Sequence, residues 1–512
     1  MKISAFASTT RGTRIRALGL VGAAAVAAAV IPVDSGTTQA LAPSDSGIVC
    51  TWGSASAPVD GVVTRTFSIL ATAGWTTEPD GNSIYDWSFT ATGAFQLPGP
   101  VLCANTGEHL VVELTNDLPV ATSIEFPGQV DVRYSYADPE ESGPVGPVSD
   151  SAGDLQSLVQ DAAPGSSVTY SFDATNEGTY LYQSATDPQL QVQMGLFGAL
   201  VVYPSGVTIT AADLLAIPVD SGGTNGSRGL SAANAAIAAE GAVCAYRSPV
   251  DPSKCDPLAI YESDRENILI LSEVDPGLHA FIEKAQQDGD IGAMRFAEYP
   301  KGYAAHYFML NGRSMPDTIA PNGASWLPTQ PYGSLAIIEP WDARFNPLDA
   351  FIRYVGVGVQ GYDFHPHSNH EHVIAEDGVL MVAAQEDGSV HNNTEEKFNI
   401  FVGAGSTVDA TFRWTNDEGY ADSQGHRVPV QWPQNPNMQE GDFWSGSPYL
   451  GGSGRLNPGI LSKTQCGEYY HVAHSHDLTQ VTNYGTAFGG MLTLIKVEPP
   501  RTSIDANSSC SH

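Results

Sequence analysis

Positive charge is scarce in this chain of 512 residues. Lys and Arg total 23 against 56 Asp and Glu, a formal net charge of −33. A nucleic-acid backbone needs a basic face, so the scarcity excludes nucleic acid as the main partner. It also argues against docking on anionic lipid. Charged residues of both signs make up only 15%, which leaves little material for long solvated helices. Beyond the N-terminus there is no run of about 20 apolar residues, so no transmembrane helix is expected in the mature chain. No cysteine is adjacent to a histidine, which weakens the case for a thiolate metal site. What is plentiful is Gly (52), Pro (34) and hydrophobic residues (42%). That composition describes a globular, turn-rich protein and points to an all-β fold, with length for about two to four domains.

The first 42 residues read as an export signal. Lys2, Arg11, Arg14 and Arg16 form a positive region, Ala17–Ile31 an apolar core, and Ala40-Leu41-Ala42 a small-x-small cleavage site. The mature protein is therefore expected to be secreted. All six cysteines, Cys50, Cys103, Cys244, Cys255, Cys466 and Cys510, lie after that cut, and an even count in an exported chain reads as disulfides. Cys244 and Cys255 close a short loop and are expected to pair. Cys50–Cys103 and Cys466–Cys510 are the expected remaining pairs, with other connectivities open.

Alternating strands broken by Gly and Pro run through residues 43–206, among them His109–Thr115, Ser167–Phe172 and Gly198–Tyr203. Residues 207–263 shift to Ala, Gly, Ser and Asp and read as a linker pinned by the Cys244–Cys255 loop, with a short helix within Ser231–Ala242. Strands return in residues 264–500, from Asn267–Ser272 to Ser406–Phe412 and a final block over Glu468–Val497. Residues 420–465 interrupt them as an insertion rich in Gly, Pro, Ser, Asn and Trp, flanked by Trp414, Trp432, Trp444 and Tyr449, which read as packing anchors. Residues 501–512 are a tail. The pattern is two β-barrel-like domains, the second with an insertion.

Thirteen histidines are present, and seven fall in two short windows: His365, His367, His370 and His372, then His471, His474 and His476. Imidazole is the commonest metal ligand near neutral pH. Residues two apart in a strand share a face. His474 and His476 therefore project together, with Ser475 on the opposite face, and His365 and His367 pair in the same way. A turn at Ser368-Asn369 would bring His370 round.

These windows resemble the multicopper oxidase family, whose units are cupredoxin domains. In the first domain, Gly107–Pro119 (GEHLVVELTNDLP), Thr122–Gly128 (TSIEFPG), Gly178–Ala185 (GTYLYQSA) and Met194–Val202 (MGLFGALVV) follow the family's order. In the second, His365–His372 (HPHSNHEH) with Val373–Gly378, Gly405–Asp409 (GSTVD), and His474–His476 (HSH) with Gly489–Met491 do the same. The resemblance implies two cupredoxin-like Greek-key β-barrel or sandwich domains, copper as cofactor, and oxidoreductase chemistry. It carries metal-ligand roles onto His365, His370, His474 and His476. His367 has no counterpart among the family's ligands but shares a face with His365.

The departures are as informative. The family's four first-domain histidine positions read Glu125, Pro127, Gln183 and Ala185 here. In the second domain one histidine position reads Ser368, the blue-copper cysteine reads Ser475, and its partner histidine reads Gln480. A hydroxyl does not replace a thiolate electronically. The chain is therefore expected to lack the blue site and the full trinuclear cluster, and to keep one mononuclear site of His365, His367, His370, His474 and His476. Glu371, Asp477 and Glu125 are the carboxylates positioned to add a ligand or to orient an imidazole. Imidazoles suit Cu(II) and also Zn(II).

Two other signals fail their context. Gly356–Gly361 has the spacing G-x-G-x-x-G, but Tyr362-Asp-Phe-His-Pro366 follows it rather than a helix. Ser475, His476 and Asp477 are adjacent on a strand and cannot converge as a hydrolytic triad. Two functions remain open. One is a copper-dependent oxidoreductase acting on a small-molecule or metal-ion reductant. The other is a non-catalytic extracellular scaffold or binding protein, with a non-redox zinc protein as a variant. A homo-oligomer is compatible with either.

Overall fold

The computed structural model of the chain describes residues 46–138, 140–217, 230–339, 341, 346–367, 370–413 and 469–497. The expected export signal, Cys466, Cys510, the four aromatics flanking the insertion, the insertion itself and the tail lie outside the described residues. Among the described residues no helix is long and apolar enough to cross a membrane.

The chain is all-β, built of cupredoxin-like sandwiches. In the N-terminal one, β1 (Thr64–Thr77), β2 (Ser83–Thr90), β4 (His109–Asn116) and β5 (Ser167–Asp173) share a sheet. There β1 pairs antiparallel with β2 and parallel with β4, which pairs antiparallel with β5. The facing sheet has the order Cys50–Thr51, β3 (Val101–Asn105), β7 (Phe197–Tyr203), β6 (Gly178–Gln183). Period-two alternation fills the space between them: Leu110, Val112 and Leu114 of β4 meet Val168, Tyr170 and Phe172 of β5 and Leu200 and Val202 of β7.

The C-terminal sandwich repeats the plan. One sheet contains β8 (Ile260–Val274), β9 (Asp349–Gly356), β12 (Thr407–Phe412) and the strand Glu371–Glu376, in that order. The other has the order Ala336–Ile338, β14 (Leu492–Val497), β13 (Tyr469–Ser475), β10 (Tyr362–Pro366), β11 (Ile400–Val402). Leu269, Leu271, Tyr354, Phe364, Val408, Ala473 and Ile495 form its interior.

The two sandwiches join through strands buried on both faces. Leu269 and Leu271 of β8 face the C-terminal core, while Ile268 and Ile270 pack with Val101, Cys103, Ala199 and Val201 of the N-terminal sandwich. Alternate residues thus serve different cores, which is why FGALVVY and NILILS are continuous apolar runs rather than alternating ones. The expected disulfides Cys50–Cys103 and Cys244–Cys255 are both present. The expected short helix spans Ala232–Gly241, with the Ser231 hydroxyl as its N-cap.

One helix breaks the expected run of strands. Helix α1 (Pro276–Asp288) opens on Asp275, whose side chain accepts from the Gly277 and Leu278 N–H groups. Pro276 suits the first helical position, and Gly289 closes the helix in the left-handed region at φ 72°. Its apolar stripe, Leu278, Ile282 and Ala285, fills the N-terminal core. At Gly356–Gly361 the chain runs from β9 directly into β10. A Cβ on Gly358 would fall 2.5 Å from the Glu273 carboxylate, so glycine is required there by close approach and not by a phosphate.

A buried ionic cluster ties the halves together. Arg353 on β9 is 1% exposed. Its Nε donates to Glu266 Oε1 at 2.6 Å, and its Nη1 donates to Thr179 Oγ1 at 2.8 Å and lies 3.4 Å from Asp409 Oδ2. Thr179 donates onward to Asp409 Oδ1 at 2.6 Å, and Tyr246 Oη donates to Oδ2. The guanidinium also lies over the rings of Phe351 and Tyr203, 4.7 and 5.4 Å from their centroids. Thr179 and Tyr203 belong to the N-terminal sandwich and Tyr246 to the segment between the two.

Glu78, just past β1, is a second buried acid. Both its carboxyl oxygens are buried without a well-formed hydrogen bond. Burial pushes its pKa up to about 8, with Ser314 pulling the other way and Asp86, Asp80 and Asp317 adding to the rise.

Two outcomes follow from these buried charges. Arg353→Ala leaves Glu266 and Asp409 buried without their cation and should cost about 3–5 kcal/mol in denaturant unfolding. Folded Glu78 holds a proton that the unfolded chain releases, so stability should fall as pH rises from about 4.5 to about 8. Glu78→Gln should flatten that slope, read as the midpoint of thermal unfolding across the same range.

Candidate metal centre

The register of two strands builds a ladder of imidazoles. His365 on β10 lies directly opposite His474 on β13, and Phe364 lies opposite Ser475. Opposed residues point to one face, as do residues two apart. His365, His367 and His474 therefore share the outer face of the sheet. His476 continues the ladder, its backbone N–H donating to the Asp363 carbonyl at 2.5 Å. Phe364, Ala473 and Ser475 project from the other face and are buried.

The rings meet. Centroid separations are 4.5 Å for His365–His367, 5.7 Å for His365–His474 and 5.2 Å for His365–His476. They are 5.1 Å for His367–His474 and 5.8 Å for His474–His476. His370 stands at the rim. It is exposed, with its ring 6.0 Å from that of Phe398, which in turn lies 5.7 Å from His365. His372 is turned to Thr394 Oγ1 at 2.7 Å, and His471 is buried on the other face of β13.

Hydrogen bonds fix the tautomers. The Nδ1 of His365 contacts the Phe398 carbonyl, and that of His474 contacts the Ser475 carbonyl at 2.7 Å. A carbonyl oxygen only accepts, so each Nδ1 carries the proton and each neutral ring presents an Nε2 lone pair. His474 Nε2 lies 3.0 Å from His367 Nε2, so His367 is the donor of that pair. Burial lowers the pKa of His474; its bond to the Ser475 carbonyl opposes this, and His365 and His476 add to the lowering. The neutral, ligand-competent form is thereby favoured.

The carboxylates have other partners. Glu371 is buried and accepts from Tyr354 Oη on both oxygens at 2.8 Å, and burial pushes its pKa up to about 8. Asp477 accepts from the backbone N–H and hydroxyl of Thr479. Glu125 accepts from Gln183 Nε2 at 2.8 Å. On the core side of β13, Ser475 Oγ donates to Gln480 Oε1 at 2.6 Å, and Gln480 in turn donates to Gln360 and Gly361.

Among the described residues no three His, Cys, Asp or Glu side chains stand ready to hold a metal ion. The ladder is closed on itself by the His367–His474 bond. Its donor chemistry nevertheless fits an imidazole-bound metal, because carbonyl-anchored Nδ1–H groups that leave Nε2 free are the support metal-binding histidines take. A blue-copper centre does not fit at Ser475, whose hydroxyl is already paired with Gln480. Sequence reasoning missed the Phe398 carbonyl; no residue type marks a backbone acceptor, and only the β10–β11 pairing brings it to His365.

Residues 90–206 match the sequence model of multicopper oxidase. Over that segment the chain is similar to the multicopper oxidase family. Laccase abr2 of Aspergillus fumigatus is 33% identical over 109 residues, 21% of this chain and 16% of the laccase. L-ascorbate oxidase of Cucurbita pepo var. melopepo is 33% identical over 111 residues, 21% of this chain and 17% of the oxidase. These matches thus take in less than a fifth of either relative. The blue copper oxidase of Nitrosomonas europaea aligns at 15% identity and TM-score 0.45, covering 84% of this chain and 85% of that one. The multicopper oxidase match falls within the N-terminal sandwich and its border, so the imidazole ladder rests on its own geometry.

The Ser475–Gln480 pair is separable from the ladder. Ser475→Ala should leave a buried amide oxygen short of its donor and cost about 1–3 kcal/mol in thermal or denaturant unfolding. The ring-proton NMR signals of His365 and His474 should stay in place.

Proposed function

We propose that this chain is an exported multicopper oxidase relative with a reduced copper complement. It binds copper through His365, His367, His474 and His476, with His370 at the rim, and acts as an oxidoreductase on a small-molecule or metal-ion reductant. The observation that carries the reading is the ladder: four rings on one strand pair, two with Nδ1 anchored on carbonyls so that the Nε2 lone pair is the nitrogen each offers, that of His474 now accepting from His367. Copper in an all-imidazole site supplies one-electron exchange with a reductant at the outer face of the sheet. The protein's own part is to fix the tautomers and to keep His474 neutral.

The reduced complement is supported by the pairs at the family's other ligand positions. Glu125 is joined to Gln183, and Ser475 to Gln480. Each pair satisfies internally the positions where the family carries metal ligands. A second reading, a non-catalytic scaffold, is favoured by the His367–His474 hydrogen bond, in which the Nε2 lone pair of His474 accepts from His367 without any metal. Imidazole-only donors also accommodate zinc without redox chemistry.

Copper loading of the purified chain, followed by removal of excess, separates these readings. The expected result is about one tightly held copper per chain with a Cu(II) EPR signal and no intense blue band. That copper should be lost in the His474→Ala/His476→Ala variant, and oxygen uptake should rise when a reductant is added. An intact fold that retains no copper would leave the scaffold. Several coppers with a blue band would overturn the reduced complement.

A further inference from the structure

Another histidine, far from the ladder, has no part in that function. His279 lies on α1 at 0% exposure, between the Leu278 and Ile282 side chains that fill the N-terminal core. Its Nδ1 lies 2.7 Å from the Tyr85 carbonyl oxygen, and its Nε2 lies 3.0 Å from that of Gln193. Nδ1 is also 3.0 Å from Asp86 Oδ1. Every one of these partners accepts. A neutral imidazole has one N–H and one lone pair, so it would turn a lone pair on a carbonyl oxygen in a site closed to water. Only the imidazolium, with two N–H groups, satisfies both contacts.

The surroundings can hold that charge. Asp86 on β2 is itself buried, and its second oxygen accepts from Thr76 Oγ1 at 2.6 Å. Beyond Thr76 lies Glu78, whose carboxyl feels the Asp86 charge. On α1, Glu283 acts on neighbouring Tyr85. Burial alone lowers the pKa of His279, but the hydrogen bond and charge of Asp86, with the Tyr85 and Gln193 carbonyls, outweigh it and leave it raised.

We propose that His279 is a proton-dependent latch: as an imidazolium it fixes α1 to the N-terminal sandwich, and loss of one proton releases the helix. The sign follows from the raised pKa. The latch is fully engaged below the ordinary imidazole range and is lost as pH rises through the folded value. Release would uncover Leu278, Ile282 and Ala285, so the alkaline form would present an apolar surface that the neutral form hides.

The test uses the full chain. Nitrogen–proton correlation spectra of the histidine rings should show His279 with both nitrogens protonated at neutral pH and one proton lost on going alkaline. Hydrogen exchange over residues 276–288, corrected for its intrinsic pH dependence, should report helix opening that climbs about tenfold per pH unit between the ordinary imidazole range and the folded value, and levels off once the folded ring has lost its proton. His279→Gln should abolish the slope, and Glu78→Gln should keep it. A singly protonated His279 at neutral pH would overturn the latch, as would an unchanged slope in His279→Gln. Should that variant fail to fold, the ring protonation of the wild-type chain decides.

Discussion

A guanidinium sealed from water must find every partner inside the protein, and Arg353 finds them in three parts of the chain at once. Glu266 and Asp409 come from strands beside it, Thr179 and the Tyr203 ring come from the other sandwich, and Tyr246 completes Asp409 from the connecting segment. The desolvation of one such ion is several kcal/mol, so no arrangement that parts the sandwiches leaves Arg353 satisfied. The apolar faces of β7 and β8 supply adhesion, but adhesion between greasy sheets tolerates sliding. The ionic cluster fixes one relative position.

That position determines what each face of the C-terminal sandwich can do. Strands β8 and β9 are enclosed between two cores, so neither has a face left for a ligand. The sheet carrying β10 and β13 packs one face inward and leaves the ladder on the other. Polar side chains on the inward face, Ser475 among them, are obliged to satisfy one another, as Ser475 and Gln480 do. The Ser475–Gln480 pair thus suits a well-packed interior, while the imidazoles of the ladder stand on the opposite face.

Much of this was legible in the sequence. Runs such as NILILS marked strands, and the parity of His365, His367, His474 and His476 placed each pair on one face. What the sequence did not reveal was the register. Whether His365 meets His474 or slips by one residue is decided by the whole sheet, and a slip would have turned the imidazoles to opposite faces. The insertion, lying between the two histidine windows, hid that pairing further. Helix α1 was legible and overlooked: Asp275, Pro276 and Gly289 are start and stop signals within a stretch expected to be strands. The Arg353 cluster was not legible, since Gly405–Asp409 showed a family motif without showing what Asp409 touches.

His367 and His474 are 107 residues apart in the chain, yet their ring nitrogens are in contact. Any group gripped by both rings would act as a removable cross-link closing a loop of that length. For a covalent bridge the corresponding loss of unfolded-chain entropy is worth about 4–5 kcal/mol. Occupancy would then be recorded in the mechanical integrity of the sheet as well as in its chemistry. A copy starved of its ligand would be distinguished first by proteases, through the ease with which β10 and β13 come apart.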